Sequence, residues 1–195
     1  MFISRIIAYI CAYAFLVIFF VFERFVRKGK ETKDMNRTAY DKGSTTFISV
    51  AMGAAFILAP ISPLLNYFHI ADVFNIRTGA VGIVLSVAGF IVRYLAFSTL
   101  REFFTRTLRK TENHTLVTHG IYRRVRHPGY MSDLLIFIGM ALAMGNLITI
   151  IAVPVLFLPA YLYRINIEEK MLIDIFGDSY TEYQKTSKRL IPFVY

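Results

Sequence analysis

Cysteine is nearly absent from this chain, and so are the common nucleotide-binding and metal-binding motifs. Cys11 is the single cysteine, which excludes an intramolecular disulfide and a cysteine-based metal cluster. No Gly-x-Gly-x-x-Gly motif occurs, which excludes a Rossmann nucleotide site. His114, His119 and His127 are separated by five and eight residues, and this spacing matches no helical metal pair. We therefore expect no bound metal.

Charged residues are also scarce, whereas apolar residues are abundant. Of the 195 residues, 56% are hydrophobic and 15% are aromatic, and the mean hydropathy is +0.52. These values exclude an ordinary soluble domain. The formal net charge of +9 would suit nucleic acid, but the basic residues lie between apolar segments, where anionic lipid headgroups explain them. We predict one integral membrane domain over residues 1–195, with no nucleic-acid partner.

The first hundred residues contain three apolar segments long enough to cross a bilayer as helices, which takes about 20 residues each. They cover residues 6–22, 43–66 and 78–100. The loops after the first and third segments are rich in Lys and Arg, unlike the connector through His69, Asp72 and Arg77. By the positive-inside rule, the basic loops face the cytoplasm and the amino terminus lies outside. Arg93, near the cytoplasmic end of the third helix, is expected to extend to the headgroups.

Residues 134–163 form a stretch of thirty residues without charge. As one helix it would be about 45 Å long, too long for one untilted span and too short for two. Gly145-Asn146 in its middle predicts a turn between two helices. Two crossings fit if the helices extend into the flanking polar runs, from Pro128 on one side and through Arg164 to residue 176 on the other. Those polar turns must then face a protein cavity, since charges in hydrocarbon are costly.

The predicted fold class is therefore an all-α integral membrane protein with about five transmembrane helices, the last two forming a hairpin. Gly177 is a plausible C-cap of the fifth helix. Ser179 to Glu182 fits a capping box that would begin a short amphipathic helix. The terminal residues 191–195 are apolar and aromatic and are expected to dock at the interface. The carboxyl terminus is predicted to lie inside.

Two polar runs contain the candidate site residues. His127 precedes Pro128, a good first helical residue, so His127 is predicted to cap the fourth helix. The free N–H groups and dipole of such a helix end attract a carboxylate or phosphate. Arg164 and Glu168 are four residues apart on the fifth helix and share one face. The alternative interpretation is a lipid-anchoring basic loop and an ion pair of little energetic weight.

Several motifs of the carboxyl-terminal half occur in a defined order. They are His114-Thr-Leu-Val-Thr118, Gly120-Ile-Tyr122, Arg126-His-Pro-Gly-Tyr130, Arg164 with Glu168-Glu169, Phe176-Gly177 and Ile191-Pro-Phe193. Together they resemble the isoprenylcysteine carboxyl methyltransferase family, within the wider group of membrane phospholipid methyltransferase-like proteins. The first hundred residues match only as generic membrane helices.

The resemblance implies that residues 101–195 form a cofactor-binding and catalytic half, with a cytoplasm-facing pocket for S-adenosylmethionine and its product S-adenosylhomocysteine. Arg164 and Glu168 are the catalytic candidates, and Arg164 would bind the substrate. The implied cofactor-binding residues are His114, Thr115, Leu116, Val117, Tyr122, His127, Pro128, Gly129, Tyr130 and Glu168.

The implied acceptor is the carboxylate of a carboxyl-terminal prenylated cysteine. A carboxylate is already ionised at pH 7 and needs no general base, and Arg164 can grip it through two hydrogen bonds. A phospholipid amine would have to lose a proton, and Glu169 is the candidate base for that alternative. A sterol-reductase-like enzyme that uses NADPH and a catalytically silent lipid-binding protein also remain open. Membrane lipids are expected partners, and a monomer is compatible with the sequence.

Overall fold

The structure is a computed structural model that describes residues 2–26, 41–100 and 116–191. Within these ranges the chain forms helices joined by short connectors. They are α1 (Phe2–Val26), α2 (Ser44–Tyr67), α3 (Ile76–Leu100), a 3-10 helix (Gly120–Arg123), α4 (Pro128–Met144), α5 (Leu147–Phe176) and α6 (Asp178–Thr186). Four of them, α1, α2, α3 and α5, are long and apolar enough to cross a membrane, and α4 is a shorter apolar helix. The predicted all-α class is confirmed for the described residues, and four of the five predicted spans are long enough to cross a membrane.

The last two apolar helices extend into both polar runs, as predicted. The fourth begins at Pro128 and the fifth continues to Phe176. Between them Gly145 has a φ of 64°, in the left-handed region that glycine tolerates best. The Asn146 side chain then accepts a hydrogen bond from the Ile148 N–H at 3.1 Å and so caps α5. The hairpin turn is confirmed, and it leaves the polar ends of both helices at the same end of the bundle.

The capping box predicted after α5 is wrong, although Gly177 does end that helix. Helix α6 begins at Asp178 with Gly177 as its cap, and no side chain makes the capping hydrogen bond. Because the chain re-enters a helix directly after Gly177, Ser179 already lies in the first turn and cannot act as a cap. Glu182 instead accepts a hydrogen bond from Lys185 at 2.6 Å.

Glycines allow α3 and α4 to pack closely, which fixes where α4 begins relative to the rest of the bundle. A Cβ on Gly139 would lie 2.6 Å from the Gly82 carbonyl oxygen, and one on Gly89 would lie 2.7 Å from Ile136 Cγ1. Ser86 also donates to the Ile136 carbonyl at 3.2 Å. Small residues of this kind are typical of close helix contacts in membranes. A larger side chain at Gly82 or Gly89 would therefore force the two helices apart.

Amide side chains close the end of the bundle opposite the two polar runs. Asn66 Nδ2 donates to the Tyr9 hydroxyl and to the Met144 carbonyl, both at 2.8 Å. Asn146 Nδ2 donates to Asn66 Oδ1, also at 2.8 Å. An ion pair between Arg5 and Asp72, 2.9 Å apart, lies at the same end. These contacts tie the end of α2 to the turn between α4 and α5, and the connector after α2 to α1.

Arg93 does not extend to the headgroups, so that prediction is wrong. The residue is only 3% exposed and forms ion pairs with Glu23 of α1 and Asp133 of α4. Its guanidinium also lies over the Phe19 ring, 4.7 Å from the centroid. Asp133 accepts a further hydrogen bond from the Tyr161 hydroxyl at 3.1 Å. Two carboxylates on neighbouring helices compensate the charge inside the bundle, and the side chain has no need of the interface.

Candidate functional site

The amino end of α4 forms the centre of the site. His127 is its N-cap and Pro128 its first residue, as the sequence predicted. The carboxyl-terminal segment runs alongside: the Arg126 N–H donates to the Lys188 carbonyl at 2.8 Å, and the His127 N–H donates to the Arg189 carbonyl at 3.2 Å. The first N–H groups of a helix have no partner within the helix. The end of α4 therefore offers donors to an anionic group.

Tyr130 connects α4 to the predicted residues of α5. Its hydroxyl donates to Glu168 Oε2 at 2.8 Å and accepts from Arg164 Nε at 3.3 Å. Its ring stacks against His127, with centroids 5.8 Å apart. The Arg164 side chain is buried, whereas the Glu168 side chain keeps 27% of its surface exposed. The structure thus brings the α4 candidates together with Arg164 and Glu168, and Glu168 is the accessible carboxylate.

Asp41 is a residue of this site that sequence reasoning missed. Its Oδ1 accepts from Arg164 Nη1 at 2.8 Å, from Ser44 Oγ at 3.0 Å and from Thr45 Oγ1 at 2.6 Å. It also accepts from the Thr45 N–H at 3.2 Å, so it caps the first turn of α2. Asp41 lies two residues before Gly43, which is the N-cap of α2 and makes no side-chain capping bond. Because capping patterns place the aspartate at the N-cap itself, no sequence pattern pointed to Asp41 or to its contact with Arg164.

Asp41 is charged at neutral pH. Burial acts to raise the pKa of this carboxyl, but hydrogen bonds from Thr45 and Ser44 and the charge of Arg164 outweigh burial and hold the pKa below its usual range. A lowered folded-state pKa stabilises the fold above the ordinary aspartate pKa of about 3.9. That stabilisation is lost as the pH falls through the folded-state value. The Asp41–Arg164 ion pair is therefore intact at pH 7.

Glu169 is the hub of a second cluster, which closes the site on the side of the carboxyl-terminal segment. Its Oε1 accepts from Arg126 Nε at 3.0 Å and lies 3.3 Å from His127 Nε2. Its Oε2 accepts from Arg189 Nε at 2.9 Å and Nη2 at 2.5 Å. Arg126 also donates to the Ser187 carbonyl at 2.5 Å. Because both of its oxygens are engaged, Glu169 holds the site together and is a poor candidate for a general base.

The structure describes three of the predicted residues before α4: Leu116, Val117 and Tyr122. Tyr122 is buried in the 3-10 helix, and its carbonyl accepts from the Tyr183 hydroxyl of α6 at 2.5 Å. Burial raises the pKa of Tyr183 to about 12, against opposing effects of Ser187 and Arg126, so this hydroxyl remains a donor at neutral pH. Leu116 and Val117 are half-buried. His114 and Thr115 lie outside the described residues.

A cleft of about 750 Å³ opens between the carboxyl end of α3 and the 3-10 helix. Its lining combines apolar and basic side chains: Leu95, Thr99, Gly120, Ile121, Arg123 and Arg124. Arg123 and Arg124 are exposed. The basic side of this cleft is therefore open to solvent.

Replacing Glu169 by glutamine should destabilise the protein by about 3–5 kcal/mol, because the partly buried Arg126 and Arg189 lose their buried counter-ion. Thermal unfolding in detergent measures the loss, and hydrogen exchange of residues 187–191 should accelerate as Arg189 is released. Glu182→Gln is the matched control, since Glu182 pairs with Lys185 at an exposed position. Equal unfolding temperatures for the two variants would contradict the role of Glu169 as a hub.

Residues 78–179 match the family described as phospholipid methyltransferase, and this match covers just over half of the chain. The chain belongs to this family. The family resemblance drawn from the motifs is therefore confirmed.

Curated proteins are similar to much of the chain. The probable protein-S-isoprenylcysteine O-methyltransferase of Oryza sativa subsp. indica is 34% identical over 116 residues, which are 58% of this chain and 61% of the rice protein. Protein-S-isoprenylcysteine O-methyltransferase A of Arabidopsis thaliana is 29% identical over 164 residues, or 80% of this chain and 83% of the relative. The chain thus matches about three fifths of the rice protein's length.

A solved structure shares the fold. It is that of the eukaryotic intramembrane Ras methyltransferase ICMT, an isoprenylcysteine carboxyl methyltransferase, with a TM-score of 0.65 and 24% identity. The superposition covers 98% of this chain and 68% of the other. The arrangement of helices described above is therefore shared with an intramembrane enzyme.

Proposed function

We propose that the protein transfers a methyl group from S-adenosylmethionine to the carboxylate of a carboxyl-terminal prenylated cysteine. The observation that supports this most is the buried Arg164, joined through the Tyr130 hydroxyl to the accessible Glu168 at the amino end of α4. One cation for an anionic acceptor thus lies beside a carboxylate and a helix terminus suited to the methyl donor. The names of the curated relatives support the same reaction.

The residues around α4 fit S-adenosylmethionine. When bound, this cofactor supplies an electrophilic methyl group on a sulfonium cation. In the first turn of α4, the backbone N–H groups of Gly129 and Tyr130 would bind its carboxylate. Pro128 has no N–H and the His127 N–H donates to the Arg189 carbonyl, so these two residues would line the pocket. Glu168 would accept hydrogen bonds from its amino or hydroxyl groups, and the ring of Tyr122 or Tyr130 would offer an aromatic face to the cation. Leu116 and Val117, with His114 and Thr115 before them, would complete the pocket on its cytoplasmic side.

Arg164 would hold the acceptor. A carboxylate is ionised at pH 7, so the reaction needs orientation and removal of water from the nucleophile, not a base. The burial of Arg164 within the helix bundle supports such a dry environment. A prenyl chain is apolar and would lie among the membrane helices, while the soluble cofactor would arrive from the cytoplasm.

Phospholipid N-methylation is the second candidate, because the matching family is described as phospholipid methyltransferase. An amine acceptor must lose a proton before attack. Glu169, the base considered for that step, is already engaged by Arg126, Arg189 and His127. The arginine at the acceptor position would also repel an ammonium group. These contacts favour the carboxylate.

Purified protein given labelled S-adenosylmethionine and an S-farnesylcysteine analogue should form a base-labile methyl ester. With phosphatidylethanolamine as the acceptor, the product would be a base-stable N-methyl group. The same assay should yield far less of this product than of the ester. Binding of S-adenosylhomocysteine, measured against NADPH, separates this proposal from a sterol-reductase-like enzyme. Cofactor binding without ester formation would refute the proposed acceptor, and binding of NADPH alone would refute the cofactor.

A further inference from the structure

Asp41 already forms an ion pair with Arg164, the residue that would hold the acceptor. This contact affects how tightly the acceptor can bind. Arg164 Nη1 lies 2.8 Å from Asp41 Oδ1, 2.8 Å from Ser44 Oγ and 3.1 Å from Thr45 Oγ1. One Nη nitrogen has two N–H donors, so three oxygens share its hydrogen-bonding capacity. The positive charge of Arg164 is thus compensated before any acceptor arrives.

The contact of Arg164 with Tyr130 limits the ways in which Arg164 can hold an acceptor carboxylate. Arg164 Nε donates to the Tyr130 hydroxyl, so a carboxylate that uses two parallel N–H groups must share Nη1 with Asp41 or Nε with Tyr130. In either geometry, the acceptor brings a second carboxylate to a cation that already has one. Coulomb repulsion between the two carboxylates weakens acceptor binding whichever nitrogens are used.

The second oxygen of Asp41 strengthens this effect. Among the residues that the structure describes, Asp41 Oδ2 is buried and has no hydrogen-bond partner, and the whole residue has no exposed surface. A capping role needs only Oδ1, which makes all the capping contacts. The carboxylate charge is shared by both oxygens, and solvent screens it weakly because the residue is buried, so it acts on whatever binds Arg164.

We propose that Asp41 is a positioning residue that acts through Arg164 and weakens the ground-state binding of the acceptor carboxylate. This inference rests on the proposed function. The acceptor carboxylate loses its negative charge as the methyl group is transferred, since a neutral ester forms. An uncompensated arginine would stabilise the charged acceptor more than the transition state, and this raises the barrier. By compensating Arg164 in advance, Asp41 keeps the acceptor oxygen reactive.

Asp41→Asn provides the test, because asparagine keeps the capping oxygen and removes the charge. Both the KM for the farnesylcysteine acceptor and kcat should fall, each by at least about threefold, near the lower end of what one hydrogen bond contributes. The ratio kcat/KM should change little, and the KM for S-adenosylmethionine should stay constant. A helix cap alone predicts no fall in the acceptor KM, so an unchanged or raised value would overturn the proposal.

A neutral analogue separates charge from shape. The carboxamide of the same farnesylcysteine compound should inhibit wild type and Asp41→Asn equally, whereas a preference of the variant for the amide would contradict a charge effect. Glu182→Gln controls for net charge, because it also removes one acidic group but lies exposed on α6, and it should leave the acceptor KM unchanged. If Asp41→Asn fails to fold, Asp41→Ser replaces it in the test, because serine keeps a hydroxyl that can accept the capping hydrogen bond. The same fall in acceptor KM and kcat is expected.

Equilibrium binding of the acceptor analogue distinguishes this inference from the proposed function. It is measured with S-adenosylhomocysteine in place of the methyl donor. The carboxylate analogue should bind Asp41→Asn at least about threefold more tightly than wild type, and this measurement requires no turnover. If wild type forms no ester but the variant shows the tighter binding, the proposed reaction fails and the role of Asp41 stands. Active wild type with equal dissociation constants for the two proteins would overturn the role of Asp41 and leave the proposed reaction standing.

Discussion

Replacing Arg164 by alanine is expected to reduce methyl transfer to the farnesylcysteine acceptor by at least about a hundredfold, the loss typical of removing a charged donor from a reacting group. The affinity for S-adenosylhomocysteine should change little. The physical reason for this division is the direct hydrogen bond from Tyr130 to Glu168 at 2.8 Å, which remains when Arg164 is removed. Initial rates with labelled cofactor and equilibrium binding of S-adenosylhomocysteine measure the two effects.

Arg77→Ala is the matched control, because Arg77 is exposed at the beginning of α3, at the other end of the bundle. It should transfer methyl groups at the wild-type rate. Loss of cofactor affinity in Arg164→Ala equal to its loss of transfer would refute the division of roles. Thermal unfolding of both variants must accompany the assay, since Asp41 loses its ion-pair partner.

Arg93→Met should cost about 3–5 kcal/mol of stability, because it leaves the buried carboxylates of Glu23 and Asp133 without their shared cation. Thermal unfolding of the purified protein in detergent should show the change as a large fall in Tm. Arg24→Met is the control: Arg24 lies on the same helix as Glu23 but is exposed, and its loss should barely change Tm.

The Arg93 variants also separate two interpretations of the same residue. If Arg93 extended to the headgroups, methionine would be tolerated there about as well as at position 24. A triple variant that also replaces Glu23 by Gln and Asp133 by Asn should recover part of the lost stability, since it removes the two buried charges that Arg93 compensates in the wild type. Failure of the triple variant to exceed Arg93→Met would show that the ionic contacts are not the source of the loss.

Much of the local structure could be predicted from the residues themselves. Apolar segments of bilayer length predicted the helices, Pro128 predicted the beginning of α4, and Gly145-Asn146 predicted the hairpin, because each depends on neighbours within one turn or on segment length. The bounds were too short at the polar ends: α1 begins at Phe2 and ends at Val26, beyond the predicted 6–22. Hydrophobicity identifies only the part of a helix that lies in lipid, whereas the helix itself continues into the flanking polar residues.

The residues of the site were predicted from the sequence, but their ion-pair partners were not. His127, Tyr130, Arg164 and Glu168 meet as the motifs implied, yet the partner of Arg164 is Asp41, 123 residues away along the chain. Glu169, considered as a base, is held by Arg126 and Arg189 instead. Single-residue chemistry identifies which groups can act, whereas their partners depend on which helices become neighbours.

The sequence by itself determined an all-helical membrane protein, the ends of its last hairpin and the residue types of its polar site, since these follow from apolar length, turn chemistry and local spacing. Only the tertiary structure decided the pairing of charges, including Arg93 with Glu23 and Asp133 and Arg164 with Asp41. The reason is that each of these buried charges has its counter-ion on a distant segment of the chain, and helix packing determines which segment is within reach.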